Sequence, residues 1–220
     1  MVVTEDVAGA AAERVAAVVR AGGHIALAGG STPRKAYEKL ADLGLEWDGV
    51  DLWLGDDRAV PPDHEHSNYR MVRESLGDVG TMHRIQGELG YEAAADAYEA
   101  ELRSTGPDAF DLILLGIGPD AHTASLFPGD DALGERERMA VGVETPGMAP
   151  LVSRVTLTLP VLNAGKEVVF LIAGEDKADA VARAFGDAPG PDAPASLVRP
   201  ESGLTLLLDP PAAARLGAAG

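Results

Sequence analysis

The sequence predicts an α/β fold: an open, mostly parallel sheet with helices on both faces, and a smaller subregion built from its later strands. Three observations predict it. Strand-like and helix-like segments alternate along the chain. Several strand candidates, "LILL" and "VVFLI" among them, are unbroken apolar runs, as strands covered on both faces require. Such runs repeatedly stop at glycine and give way to polar residues.

From the N-terminus, residues 5–20 read as a helix, because Val7, Ala11, Val15, Val18 and Val19 line one face and Gly22-Gly23 ends the run. "HIALAGG" is a short strand running into glycines. "TPRKAYEKLADLG" is a helix with Pro33 at its first position and Gly44 beyond its end. "VDLWLGDD" reads as the next strand, "RAVPPDHEH" as a loop and Ser67 to Leu76 as a helix. Residues 91–104 form another amphipathic helix ahead of the strand in "FDLILLGIG". "RMAVGV", "SRVTLTL", "EVVFLIAG" and "GLTLLLD" are further strand candidates, with helices near 175–185 and 211–216. The Pro-, Gly- and Ala-rich "GDAPGPDAPAS" is a loop and not a linker, so residues 1–220 are expected to form one domain.

Composition bounds the function. The 220 residues carry a net charge of −17, a field that repels nucleic acid and anionic lipid, so neither is an expected partner. An anionic substrate would need a local basic pocket, which makes the positions of the 18 Lys and Arg informative. Cysteine is absent, which removes disulfides, thiolate nucleophiles and Cys-based zinc sites and fits a cytoplasmic protein. No long apolar run or basic-then-apolar leader suggests a membrane span or signal peptide.

The polar residues collect where strands end. "IALAGG" runs into Ser31-Thr32, "LWLG" into Asp56-Asp57-Arg58, "LILLGIG" into Asp120 and His122, and "VFLIAG" into Glu175-Asp176-Lys177. If these strands are parallel, the clusters share the carboxyl edge of the sheet, where open α/β sheets bind ligands. Gly29, Gly30, Ser31 and Thr32 precede a helix whose first turn holds Arg34 and Lys35, cations of the wrong sign for the helix dipole. A phosphate at the helix start would resolve that conflict; a plain Ser/Thr cap is the other reading. The spacing is neither a Walker loop nor a nucleophile elbow.

Asp56-Asp57-Arg58 reads locally as a structural ion pair. His64 and His66 flank Glu65 without a metal-ligand spacing and belong to a solvated loop, and His24 and His83 look structural. Asp120-Ala121-His122 is either a helix start capped by Asp120 or Thr123, or a general base whose second ring nitrogen is held by Asp120. Ser125 is the only nearby nucleophile candidate, and without an elbow motif direct attack by water is the better reading.

Taken together, "LAGGSTPRKAYEKLA", "GDDRAVPPDHEHSNYRM", "GIGPDAHTASLFPG", "SRVTLTLPVLNAGKEVVFLIAGEDKA" and "LTLLLD" resemble the 6-phosphogluconolactonases. The resemblance runs from about residue 20 to 210, and its motifs are specific in combination. It implies a Rossmann-like fold similar to that of the glucosamine-6-phosphate deaminases. It also implies hydrolysis of 6-phospho-D-glucono-1,5-lactone, a step of the pentose phosphate pathway, without metal or organic cofactor. His122 matches the catalytic histidine that activates water, and Asp120 would orient it. Arg58 matches an active-site arginine that stabilises charge on the lactone oxygen, and Asp56 lies where the deaminases keep a proton-shuttling acid. Gly29, Gly30, Ser31 and Thr32, with Arg154 and Lys177, would hold phosphate or sugar hydroxyls. The implied protein is a monomer or weak homodimer whose partner is a small phosphosugar lactone.

Two positions depart from the family pattern: Asp57 stands where glutamate is usual, and Ala121 where glycine is usual. If that glycine has positive φ, alanine costs about 1 kcal/mol or more. Two rival readings exist. The deaminases follow Asp-x-His with residues like "IAFNEP", whereas this chain has "TASLFP". A non-catalytic phosphosugar sensor would carry a helix-turn-helix ahead of the sugar domain, and here only about twenty residues precede the first strand.

Overall fold

The computed structural model describes residues 1–186 and 188–216. Asp187, within the loop expected at 186–196, and residues 217–220 of the expected 1–220 domain lie outside the described residues.

Strand β1 (Val2–Val3), helix α1 (Val7–Ala21), strand β2 (Gly23–Leu27), helix α2 (Ser31–Ala41) and strand β3 (Val50–Leu54) open the chain. Strand β4 (Asp56–Arg58), helix α3 (Asn68–Leu76), strand β5 (Thr81–His83), helix α4 (Tyr91–Thr105) and strand β6 (Leu112–Leu115) follow. Strands β7 (Ala140–Val143) and β8 (Arg154–Leu157) precede helix α5 (Leu159–Ala164), strand β9 (Val168–Ile172) and helix α6 (Ala178–Phe185). Strand β10 (Leu204–Leu208) and helix α7 (Pro210–Ala213) close the described chain.

Seven strands form one parallel sheet in the order β1-β10-β9-β6-β2-β3-β5. The chain steps one way across it from β1 through β2 and β3 to β5, then the other way through β6 and β9 to β10. Right-handed crossovers put helices from opposite steps on opposite faces. Accordingly α1, α2 and α3 pack side by side. Every residue of β6 and β9 is buried, which explains their unbroken apolar sequences.

The smaller subregion is a separate antiparallel sheet, β4-β8-β7. It corrects the reading of "VDLWLGDD" as one strand. The main-sheet strand stops at Leu54, and Gly55 donates to Leu27 O at 2.9 Å and accepts from Leu157 N at 2.8 Å. Asp56–Arg58 then turns away to pair with Arg154–Thr156.

Two buried tyrosines secure strand ends ahead of the site. The Tyr37 hydroxyl accepts from Ala28 N and donates to Ala28 O, and the Tyr98 hydroxyl does the same for Leu54. Those main-chain groups have run past their ladder partners and, being buried, need others.

Three local expectations change. Helix α2 begins at Ser31 and not at Pro33, because Gly30, with φ +107°, lets the chain turn in two residues earlier. Residues 120–125 start no helix; they form tight turns with Ala121 and Ala124 at positive φ. The short elements β1, β5 and α5 carry too few residues to show a period, and sequence reading misses them.

Candidate active site

Strands β2 and β6 are neighbours, but the chain leaves them in opposite directions, so their carboxyl ends flank a crevice. A cavity of about 230 Å³ lies there. The turn after β2 supplies Gly29 and Gly30, β4 supplies Asp56 and Arg58, and α3 supplies Asn68. Gly118 and His122 come from the segment after β6, Arg154 from β8 and Lys177 from the turn after β9. A recess of about 160 Å³ adjoins it, lined by Ser31, Thr32 and Pro33 and sharing Gly29, Gly30 and Lys177. The predicted site residues on this edge therefore meet, Asp120 behind the histidine and Ser31 and Thr32 in the side recess.

His122 Nδ1 and Asp120 Oδ1 lie 2.5 Å apart, and the same oxygen accepts the His122 amide at 3.1 Å. The carboxylate holds Nδ1 in its protonated form, which leaves Nε2 as the basic nitrogen. Phe127 packs at 4.5 Å from the ring centre on one side. On another side the ring lies so close to Gly118 that a Cβ there would meet it at 2.1 Å. Ala121, between acid and base, is fully buried at φ +66°, a left-handed conformation that bends Asp120 back onto the imidazole. A helix start would carry the two side chains apart; the turn brings them together.

Asp56 is buried and bridges the halves of the site. Its Oδ2 accepts from the Ser125 hydroxyl at 2.6 Å, and Asn68 Nδ2 donates to its main-chain oxygen at 2.9 Å. Ser125 is fully buried and so occupied, which removes it as a nucleophile. Asp57 is no ion-pair partner of Arg58. It accepts the amides of Arg58, Asn68 and Tyr69 and the hydroxyl of Ser67, anchoring the start of α3 to β4. Burial pushes its pKa up to about 6 against the pull of those amides.

Arg58 donates through Nη1 to Asn68 Oδ1 at 2.6 Å and to His66 O at 2.8 Å. Arg154 is buried, donating to the carbonyls of Val152, Pro150 and Met148, and its guanidinium lies over the Phe127 ring. Burial first, and then the charge of Arg58, lower its pKa.

At the start of α2 the cap position is Gly30, so neither Ser31 nor Thr32 caps the helix. Arg34 turns outward to Glu38 and Glu74, which settles its dipole conflict without a ligand. Lys177 lies 3.2 Å from Asp176 and reaches both cavity and recess.

The other histidines lie elsewhere. His83 stacks on Trp53 between Asp51 and Glu101, His24 accepts from the Trp53 indole, and His64 holds the His66 amide in its loop. Among the described residues no cluster of three or more His, Asp or Glu side chains is arranged for a metal ion. Sequence reading misses Asn68 and Gly118. The available signals are an asparagine directly after the Ser67 cap and the second glycine of "GIG".

The family model described as glucosamine-6-phosphate isomerases/6-phosphogluconolactonase matches residues 2–207. The 6-phosphogluconolactonase of Thermotoga maritima is 39% identical over 172 residues, covering 76% of both chains. That of Streptomyces coelicolor is 37% identical and covers 97% of this chain and 87% of its own. The solved 6-phosphogluconolactonase of Trypanosoma brucei superposes with a TM-score of 0.88 at 28% identity, covering 98% of this chain and 97% of its own. A monomeric glucosamine-6-phosphate deaminase superposes with a TM-score of 0.85 at 23% identity and shares the fold. With its sheet order, its site at the switch between β2 and β6, and a family match over nearly its whole length, this chain belongs to the glucosamine-6-phosphate isomerase/6-phosphogluconolactonase family.

Proposed function

We propose that the chain hydrolyses 6-phospho-D-glucono-1,5-lactone to 6-phospho-D-gluconate with His122 as general base. The observation that carries the reading is the Asp120–His122 pair on the wall of a cavity that also holds two arginines. The relatives named 6-phosphogluconolactonase, at 37–39% identity over most of the chain, support the choice of reaction.

In the proposed reaction His122 Nε2 takes a proton from water as its oxygen attacks C1. The carbonyl electrons move to oxygen, and Arg58 balances that charge. Collapse re-forms the carbonyl and breaks the bond from C1 to the ring oxygen, which takes the proton back from the imidazolium. A positioned base contributes roughly 10²–10⁴-fold and a charge-stabilising donor about 3 kcal/mol, enough for an ester as reactive as a δ-lactone. Asp120 holds the ring, and Asp56, fixed by Ser125 and Asn68, offsets part of the arginine charge.

The phosphate belongs at the start of α2. The first-turn amides of Ser31 and Thr32 have no helical acceptor, and both residues line the recess together with Lys177. Arg154 adds charge from the β8 side. Every proposed group comes from one chain, so a monomer suffices for the chemistry. A charged phosphosugar substrate and a cysteine-free chain support a cytoplasmic location.

The test is proton release from freshly made lactone, corrected for spontaneous hydrolysis. Wild type is expected to turn over, and His122→Ala to lose at least about 100-fold in kcat while folding normally. Near-wild-type turnover by His122→Ala sinks the base assignment, and ammonia release from glucosamine 6-phosphate would favour the deaminase reading.

A further inference from the structure

We infer that Asn68 is a positioning residue for Arg58, setting the roll of the guanidinium so that its Nε–Nη2 edge serves the substrate. The inference rests on the hydrolytic reading above. Asn68 is the first residue of α3, is 2% exposed and lines the cavity. Its amide side chain is not needed to cap the helix: Asp57 takes the amides of Asn68 and Tyr69, and Ser67 takes that of Arg70. The side chain spans the site instead. Its Oδ1 accepts from Arg58 Nη1 at 2.6 Å, while Nδ2 donates to the main-chain oxygen of Asp56 at 2.9 Å.

One acceptor leaves a guanidinium free to roll, whereas two acceptors on the same nitrogen hold it. Nη1, on the Cδ side of the group, has Asn68 Oδ1 and His66 O. The edge left over carries Nε and Nη2, two parallel donors that match two oxygens of one planar group. Among the described residues, Arg58 Nε is the one buried side-chain polar atom without a hydrogen-bond partner. A buried N–H in that state is costly, and a ligand oxygen in the cavity would relieve it. The carbonyl and ring oxygens of a lactone, which become a carboxylate and a hydroxyl, are such a group before reaction. Gly29 leaves room for this arrangement, since a Cβ there would lie 2.1 Å from Asn68 Oδ1.

The test compares steady-state lactone hydrolysis and thermal unfolding of wild type, Asn68→Ala, Arg58→Ala and the double variant. Asn68→Ala is expected to lower kcat about tenfold or more with KM within about threefold, as misplacement of a charge-stabilising donor does. The double variant is expected to match Arg58→Ala within about twofold, because Asn68 acts through Arg58. A kcat within about twofold of wild type, a loss carried by KM alone, or losses that multiply in the double variant would each overturn the assignment. If the alanine chain does not fold, Asn68→Ser, well suited to a first helical turn but too short to reach Nη1, carries the same expectations. Wild type without lactone turnover removes the hydrolytic reading itself; an active wild type with an unchanged Asn68→Ala removes only the role of Asn68.

Discussion

Arg58 and Arg154 stand directly opposite each other on the antiparallel pair β4–β8, and neither forms an ion pair with a carboxylate among the described residues. Like charges placed opposite each other in a sheet repel, and burial strengthens the effect. A bound anion removes the conflict. Saturating 6-phosphogluconate, at about 100 times its Kd, is therefore expected to stabilise the protein by about 2.7 kcal/mol in thermal unfolding. Arg154→Met should lose most of that shift. An unaltered shift in the variant would remove Arg154 from the binding site.

Asp120→Asn tests how the proposed base, His122, is held. The amide keeps the shape but can offer its NH₂ to Nδ1, which would place the ring proton on Nε2 and remove the base. A loss of about 100-fold or more in kcat, with an unchanged melting temperature, is expected. A small effect would mean that Asp120 is a turn-former only.

Ala121 lies at φ +66°, a left-handed conformation that favours glycine. Replacing it with glycine relieves about 1–2 kcal/mol of left-handed strain. The same change gives up about 0.8 kcal/mol for a buried methyl and about 0.4–1 kcal/mol through a freer unfolded chain. These terms nearly cancel, so the buried methyl offsets the cost expected from φ alone, and Ala121→Gly is expected within about 1 kcal/mol of wild type in denaturant unfolding. Ala121→Val puts a β-branched side chain at that φ in a fully buried site and is expected to cost at least about 2 kcal/mol.

Asp57 gives stability a pH dependence of definite sign. Its pKa of about 6 lies above the ordinary 3.8, so between those values the folded state binds more protons than the unfolded. Its contribution is fully present below 3.8 and is lost as pH rises through about 6. Asp57→Asn removes that titration, so the stability of wild type relative to the variant is the quantity that follows pH. The gap, wild type minus variant, should fall by about 2.4 kcal/mol from pH 4 to pH 7. A gap that widens with pH would reverse the assignment.

Much of this was legible one residue at a time. The alternation of apolar runs and amphipathic helices specifies a parallel sheet because strands buried on both faces tolerate no polar side chain. Glycine followed by polar residues at the ends of β2, β6 and β9 marks the ligand edge for the same reason: the core stops there. Asp120, His122, Arg58 and Lys177 stand out locally only as ionisable groups at such ends, and their expected roles come from the resemblance to the 6-phosphogluconolactonases.

Other relationships depend on distances between segments far apart in the chain. Sequence alone determined the layered α/β architecture and the edge on which its chemistry sits, since both follow from local hydrophobic pattern. Only the tertiary structure decided that Asp57 anchors a helix while Asp56 faces the cavity, that Arg58 and Arg154 confront each other, and that Asn68 grips one of them. The physical reason is that a one-residue step along β4 exchanges the two faces of the strand, and which face meets the cavity is set by the pairing of β4 with β8, about a hundred residues away.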